Sequence, residues 1–204
     1  MSEPFDGSEP SRPSEPEPAG ARYAYRASLI GAARRFELTD EGLWWHAGGK
    51  SALWPYHAIA SVRLSYRPIW MQPQRFRADI ENAGGERLTV LSTSWHTATL
   101  MAAQDHDYRT FIGQLHRRLA EAGGTAVLAG GLKPATHVAA LVLLALVATA
   151  IGALAARAVV TGELAGLMFL LGFAALFAWR IGGFIRRNRP RRYRFDDLPA
   201  GLIP

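Results

Sequence analysis

The 204 residues predict an α+β chain: a small antiparallel β-barrel capped by a C-terminal helix, followed by a two-helix transmembrane hairpin. Three observations carry this expectation. Residues 21–91 hold short runs in which apolar and polar residues alternate, residues 105–122 change to helical spacing, and residues 135–185 contain two long runs almost free of charge. Alternation of period two marks half-buried strands, spacing near 3.6 marks an amphipathic helix, and eighteen or more consecutive apolar residues mark a membrane span.

Residues 1–20, MSEPFDGSEPSRPSEPEPAG, carry five acids, five prolines and one arginine. So little apolar surface does not offset the entropy of ordering, and the segment reads as a disordered acidic tail without the apolar core of a signal peptide. The strand pattern begins after it. Tyr23 and Tyr25, Phe36 and Leu38, Leu43 and Trp45, Val62, Leu64 and Tyr66, Phe76, Ala78 and Ile80, and Leu88 and Val90 each alternate with more polar neighbours. Turn residues at 40–42, 48–49 and 82–85 include a glycine each time, so consecutive strands reverse and pair antiparallel. In DHDYRTFIGQLHRRLAEAGG, Tyr108, Phe111, Ile112, Leu115 and Leu119 form one helical stripe, with Asp105 or Asp107 expected at the N-cap and Gly123 past the end. The domain is thus expected over 21–122, with a flexible Gly-rich linker at 123–134.

Residues 135–156 contain no charge in 22 positions, and residues 164–185 contain only Arg180. A 22-residue helix is about 33 Å long, enough for a hydrocarbon core about 30 Å thick. Arg180 lies near the end of its run, where its side chain reaches the interface beside Arg186 and Arg187. Seven residues, 157–163, join the spans with balanced charge, whereas Arg117, Arg118 and Lys133 precede the first and FIRRNRPRRYRF, residues 184–195, closes the second. Such bias near span ends marks the cytoplasmic side, so both termini are expected in the cytoplasm. Arg180, Arg186, Arg187, Arg189, Arg191, Arg192 and Arg194 are then the candidate contacts to anionic lipid headgroups. Small residues recur at Ala148, Gly152 and Ala156 and at Ala174, Ala178 and Gly182, rows suited to close packing within the hairpin or to a homodimer. Beyond the basic run, the apolar residues 198–204 are expected to dock in extended form on the soluble domain.

The succession strand, tight turn, strand, hairpin, strand in FELTDEGLWWHAGGKSALWPYHAIASVRLSY, residues 36–66, with the closing helix at 105–122, resembles a pleckstrin-homology-like (PH-like) domain of the bacterial kind joined to membrane helices. The resemblance covers roughly half of the chain. It implies a binding or scaffolding platform at the inner membrane, and no enzyme. Phosphoinositide-binding members use a basic loop between the first strands; the counterpart SLIGAARRF offers Arg34 and Arg35. Trp44 and Trp45, adjacent on one strand, point to opposite faces, and with Arg34 and Arg35 they are the candidates for contact with a ligand or protein partner.

The chain has net charge +6, and residues 21–204 hold 22 bases against 12 acids, which raises acidic partners. The arginine run lacks a nucleic-acid-binding fold around it, so anionic lipid is preferred and no nucleic acid is expected. Absence of cysteine excludes disulfides, thiolate nucleophiles and Cys-based metal sites. The six histidines show no zinc-hydrolase spacing, and no phosphate-cradling loop occurs, so no catalytic residue, metal ligand or cofactor is assigned. The alternatives are a non-catalytic subunit of a transport or envelope complex, and a membrane-bound hydrolase using His96 and the hydroxyls of residues 92–99.

Overall fold

The computed structural model describes residues 20–28, 30–97 and 100–204. The acidic segment 1–20 therefore lies almost wholly outside the described residues. The first four strands, β1 (Arg22–Tyr25), β2 (Arg34–Leu38), β3 (Gly42–Ala47) and β4 (Lys50–Pro55), form one antiparallel sheet in chain order. Gly48 and Gly49 both adopt positive φ, 61° and 76°, the geometry a two-residue hairpin turn between β3 and β4 demands. A single 3₁₀ turn at Tyr56–Ala58 then hands the chain to a second sheet. There β5 (Ile59–Tyr66), β6 (Phe76–Asn82) and β7 (Arg87–Leu91) make an antiparallel meander. A short hairpin of β8 (Thr93–Trp95) and β9 (Met101–Ala103) precedes helix α1 (Asp105–Glu121).

Among the described residues the sheets do not join into a closed barrel. A lone backbone bond from the Trp95 amide to the Arg26 carbonyl at 3.2 Å joins β8 to the residue after β1. Between β1 and β7 the described link is made by side chains instead of a ladder: the Tyr23 hydroxyl donates to the Leu91 carbonyl at 2.5 Å, and the Tyr25 hydroxyl donates to the Thr89 carbonyl. These bulky rings fill the seam, and a four-residue β1 is too short to bend across it. Helix α1 covers the opening with Tyr108, Phe111, Ile112, Leu115 and Leu119, all buried. Its Phe111 ring stacks on Tyr23 at 5.6 Å, and Tyr25, Phe36 and Tyr108 extend this aromatic part of the core. Neither expected aspartate caps α1. Gln104 holds the N-cap position, while Asp105 and Asp107 occupy the first turn, where the helix dipole favours negative charge.

The segment 123–134, expected as a flexible linker, contains strand β10 (Val127–Gly130), which lies parallel to β5. The apolar helices follow as α2 (Pro134–Thr161) and α3 (Leu164–Arg187), both long and apolar enough to cross a membrane, and exposed along most of their length. The first helix runs on through Arg157, so only Gly162, at φ 72°, and Glu163 make the turn, in place of a seven-residue loop. After α3 the chain adds a two-residue strand, β11 (Arg191–Arg192), antiparallel to β10 at the edge of the second sheet, whose order becomes β11-β10-β5-β6-β7. The C-terminal segment then packs on the domain. Leu202 is 0% exposed in the aromatic core, and Tyr193, Phe195, Leu198 and Ile203 lie against it. Docking was expected, but fully extended docking is not what forms: the Leu202 amide donates to the Pro199 carbonyl at 2.8 Å, and this turn aims the leucine inward.

Candidate functional site

The chain leaves the second sheet through Leu132 to enter α2 and returns to it through Asn188 after α3, so both outer ends of the apolar hairpin meet at the end of β5. Asn188 is a polar residue within an arginine run, yet it is 0% exposed. Its side-chain oxygen accepts the Tyr66 amide at 2.9 Å, and its side-chain nitrogen donates to the Tyr66 carbonyl at 2.8 Å. The Asn188 carbonyl in turn accepts the Leu132 amide at 2.9 Å, and the Gly131 amide donates to the Leu64 carbonyl at 2.8 Å. Two glycines make this approach feasible. A Cβ on Gly131, which sits at φ 81°, would fall 2.4 Å from the Asn188 carbonyl oxygen, and one on Gly130 would fall 2.7 Å from Leu202. The side chain of Arg187 completes the junction, with its guanidinium carbon 4.4 Å from the centre of the Tyr66 ring.

Next to this clamp lies a groove of about 720 Å³ between α3 and the loop 67–75 that joins β5 to β6. The loop is held in shape by reciprocal backbone bonds between Ile69 and Gln72, both 3.1 Å, and by the Gln72 side chain donating to the Met101 carbonyl at 2.8 Å. It therefore presents Trp70 outward, 88% exposed, opposite Trp179 of α3, which is 74% exposed. Ile69, Pro68, Ile181 and Phe184 give the groove an apolar floor, and Arg180, Arg186 and Arg187 line its rim. Amphipathic rings and arginines around an apolar trough, at the end of a long apolar helix, suit the zone where hydrocarbon gives way to headgroups.

On the far side of the clamp, α1 touches the C-terminal segment through His116, which is buried. The His116 Nδ1–H donates to the Ile112 carbonyl at 2.7 Å, leaving Nε2 to accept the Tyr193 hydroxyl at 3.0 Å. Burial holds the imidazole below its ordinary pKa and pushes the Tyr193 phenol up.

The residues expected from sequence to touch lipid divide into two groups. Arg180, Arg186 and Arg187 gather at the groove. Arg189, Arg191, Arg192 and Arg194 are exposed along the returning chain, with Arg191 and Arg192 forming β11. Arg34 is half-buried and donates to the Tyr25 hydroxyl at 3.4 Å, whereas Arg35 is exposed and pairs in register with His46. Trp45 is withdrawn from any contact surface, because it is buried edge-on to Trp54 at 5.7 Å. Trp44 stays half-exposed and stacks on His46. Of the small-residue rows, Ala174 and Gly182 are half-buried, but Ala148, Gly152, Ala156 and Ala178 face outward; Leu144, Val147, Ile151, Ala155 and Ala158 are among the more covered positions of α2. The hydroxyls considered for catalysis serve the backbone: Ser92 accepts the Phe76 amide and Ser94 the Arg26 amide, both at 3.0 Å, while His96 is exposed.

Tyr66, Trp70, Gly131 and Asn188 were not singled out by the sequence reading for this junction. One signal was available for Asn188: an asparagine directly after the last apolar turn of a helix is a common stop residue. No protein-family model, curated protein or solved structure matches this chain.

Proposed function

We propose that the chain is a bacterial inner-membrane protein whose hairpin spans the bilayer, and whose PH-like domain is held at the cytoplasmic face as a binding or scaffolding platform. The observation that carries this reading is the clamp. Asn188 ties both outer ends of the hairpin to β5, so the domain has a set orientation relative to α2 and α3. A freely tethered module would need no such arrangement. The groove rim supports the same reading, since Trp70, Trp179, Arg180 and Arg187 meet at one level beside the end of α3. The cytoplasmic assignment rests on charge: Lys133 and the arginines of 186–194 flank the outer ends, whereas Arg157 and Glu163 near the tip offset each other.

The fold half of the reading draws on order of elements. Four antiparallel strands, a three-strand meander and a covering helix follow one another as the PH-like resemblance implies. The topology half is tested with reporters fused after Pro204 and inserted at Gly162. Cytoplasmic activity at the first and periplasmic activity at the second is expected, and the reverse pattern overturns the orientation. Recovery of a stoichiometric partner with the intact protein from mild detergent would identify what the platform carries.

A further inference from the structure

Beside the groove, sharing Pro68, Ile69 and Phe184 with it, is a second cavity of about 380 Å³ lined by Arg67, Arg75 and Arg77. Arg67 and Arg75 face each other at the base of the 67–75 loop, where the Arg67 amide donates to the Arg75 carbonyl at 2.8 Å, and Arg77 is the next residue but one along β6. Of the three, Arg77 alone takes the carboxylate of Asp79. Asp79 takes two bonds from the Arg77 Nε at 2.9 Å and one from its Nη2 at 2.7 Å, and it also accepts the Thr89 hydroxyl at 2.8 Å. Arg67 and Arg75 make no ion pair among the described residues, and the Nε atom of each is buried without an acceptor. Arg34, Arg75 and Arg77 all add positive potential at the Tyr25 hydroxyl, so the patch extends to β2. Burial lowers the pKa of both Arg67 and Arg75, and the charge of Arg77 lowers both further.

Two half-buried guanidiniums without partners are costly to hold in an empty fold. The arrangement becomes favourable when an anion fills the cavity, because each guanidinium fork matches two oxygens of a phosphate. The cavity also shares Pro68, Ile69 and Phe184 with the apolar groove, so a ligand with its anion between Arg67 and Arg75 would lay an apolar body against α3.

We propose that Arg67 and Arg75 form a binding site for a phosphate group carried by a membrane amphiphile, with the acyl portion in the groove beside Phe184 and Trp70. This rests on the membrane reading above and deepens it. An acidic peptide would satisfy the charges but would leave the apolar trough unfilled, which favours the lipid.

The test uses the full chain in mild detergent, with dihexanoyl phosphatidic acid and inorganic phosphate as separate probes. Saturable thermal stabilisation by dihexanoyl phosphatidic acid is expected, with inorganic phosphate weaker by about tenfold for want of the apolar contact. The Arg67→Gln/Arg75→Gln double variant should lose about tenfold or more in affinity for the lipid probe, while its ligand-free melting temperature equals or exceeds that of the parent. Lys50→Gln/Arg109→Gln, which removes two exposed cations on β4 and α1, should bind as the parent does. Equal affinity for the two probes would reassign the site to free phosphate and overturn the amphiphile. Unchanged binding in the double variant, or a lower ligand-free melting temperature, would overturn the site itself. Binding that emerges only when residues 2–19 are removed would assign the cavity to the chain's own acidic segment. Carbonate extraction of membranes is run alongside: a protein that resists extraction but binds neither probe loses this proposal alone, whereas an extracted protein loses the membrane reading.

Discussion

At its outer end the helical hairpin leaves through Leu132 and returns through Asn188, two residues joined at 2.9 Å and gripped by the end of β5. At its tip, Gly162 and Glu163 are exposed, and their backbone bonds run to α2 and α3 alone. Both ends use a left-handed glycine, Gly131 at φ 81° and Gly162 at φ 72°. The first glycine is crowded by carbonyl oxygens of the returning chain, and the second has nothing within 4 Å of where a Cβ would stand. Similar backbone angles therefore do different work. At the tip, glycine lowers the local cost of a turn; at the base, it lets two distant segments share a sheet edge and so fixes the domain on the helices.

Substituting the two glycines gives the strongest test of that contrast. Gly131→Val meets both an unfavourable φ and backbone oxygens that cannot move without releasing Asn188, and a loss of about 4 kcal/mol is expected. Gly162→Ala meets only the unfavourable φ and should cost about 1 kcal/mol. Thermal unfolding of the detergent-solubilised chain, followed by trypsin cleavage at Arg191, Arg192 and Arg194, reports both effects. Equal losses at the two glycines would show that the base is no more constrained than the tip.

Removing side chains from the base should cost less. Leu202→Ala empties a fully buried site and is expected to cost about 3 kcal/mol, with faster cleavage after Arg191, Arg192 and Arg194. Asn188→Ala leaves the Tyr66 amide and carbonyl without partners in a buried position, for a loss of about 2 kcal/mol. The discriminating readout for Asn188→Ala is amide hydrogen exchange at Tyr66 and Leu132: acceleration confined to this junction is expected, and exchange matching the parent there would remove Asn188 as the clamp.

These residues also mark the limit of what the sequence discloses. The strands of 21–91 and the stripe of α1 were legible because their burial is periodic, as Tyr23 and Tyr25 or Phe111 and Leu115 illustrate. β10 and β11 were not, since Val127–Gly130 and Arg191–Arg192 are too short to show a period and owe their conformation to pairing, β10 with β5 and β11 with β10. Gly130 and Gly131 were read as flexibility when they mark close approach, a distinction that depends on segments nearly sixty residues away. Arg67 and Arg75 escaped notice for a similar reason, being eight positions apart and neighbours only because a loop turns the chain back. The closed barrel failed where side-chain hydroxyls of Tyr23 and Tyr25 replaced backbone pairing, which alternation alone does not register.

The smallest effect expected at the base is one of pH, through His116. Its Nε2 accepts the Tyr193 hydroxyl, and Tyr193 and Phe195 pack on the ring at 5.7 and 6.4 Å between centres. Arg63 of β5 is the charge that acts on Tyr193. Burial lowers the folded pKa of His116 below the ordinary 6.5, opposed only by the bond to the Ile112 carbonyl. The undocked state therefore binds a proton more readily than the docked one. Docking is at full strength above pH 6.5 and weakens as the pH falls through that value toward the lower folded pKa. Protonation would turn the Nε2 acceptor into a donor, leaving it to compete with the Tyr193 hydroxyl instead of accepting from it. Tryptic release of the C-terminal segment should accordingly increase between about pH 7.5 and 5.5 in the parent, and His116→Gln, which cannot titrate, should flatten that rise. Parallel pH profiles for parent and variant would show that the imidazole serves packing alone, and would leave the clamp at Asn188 as the sole control on how the domain is held.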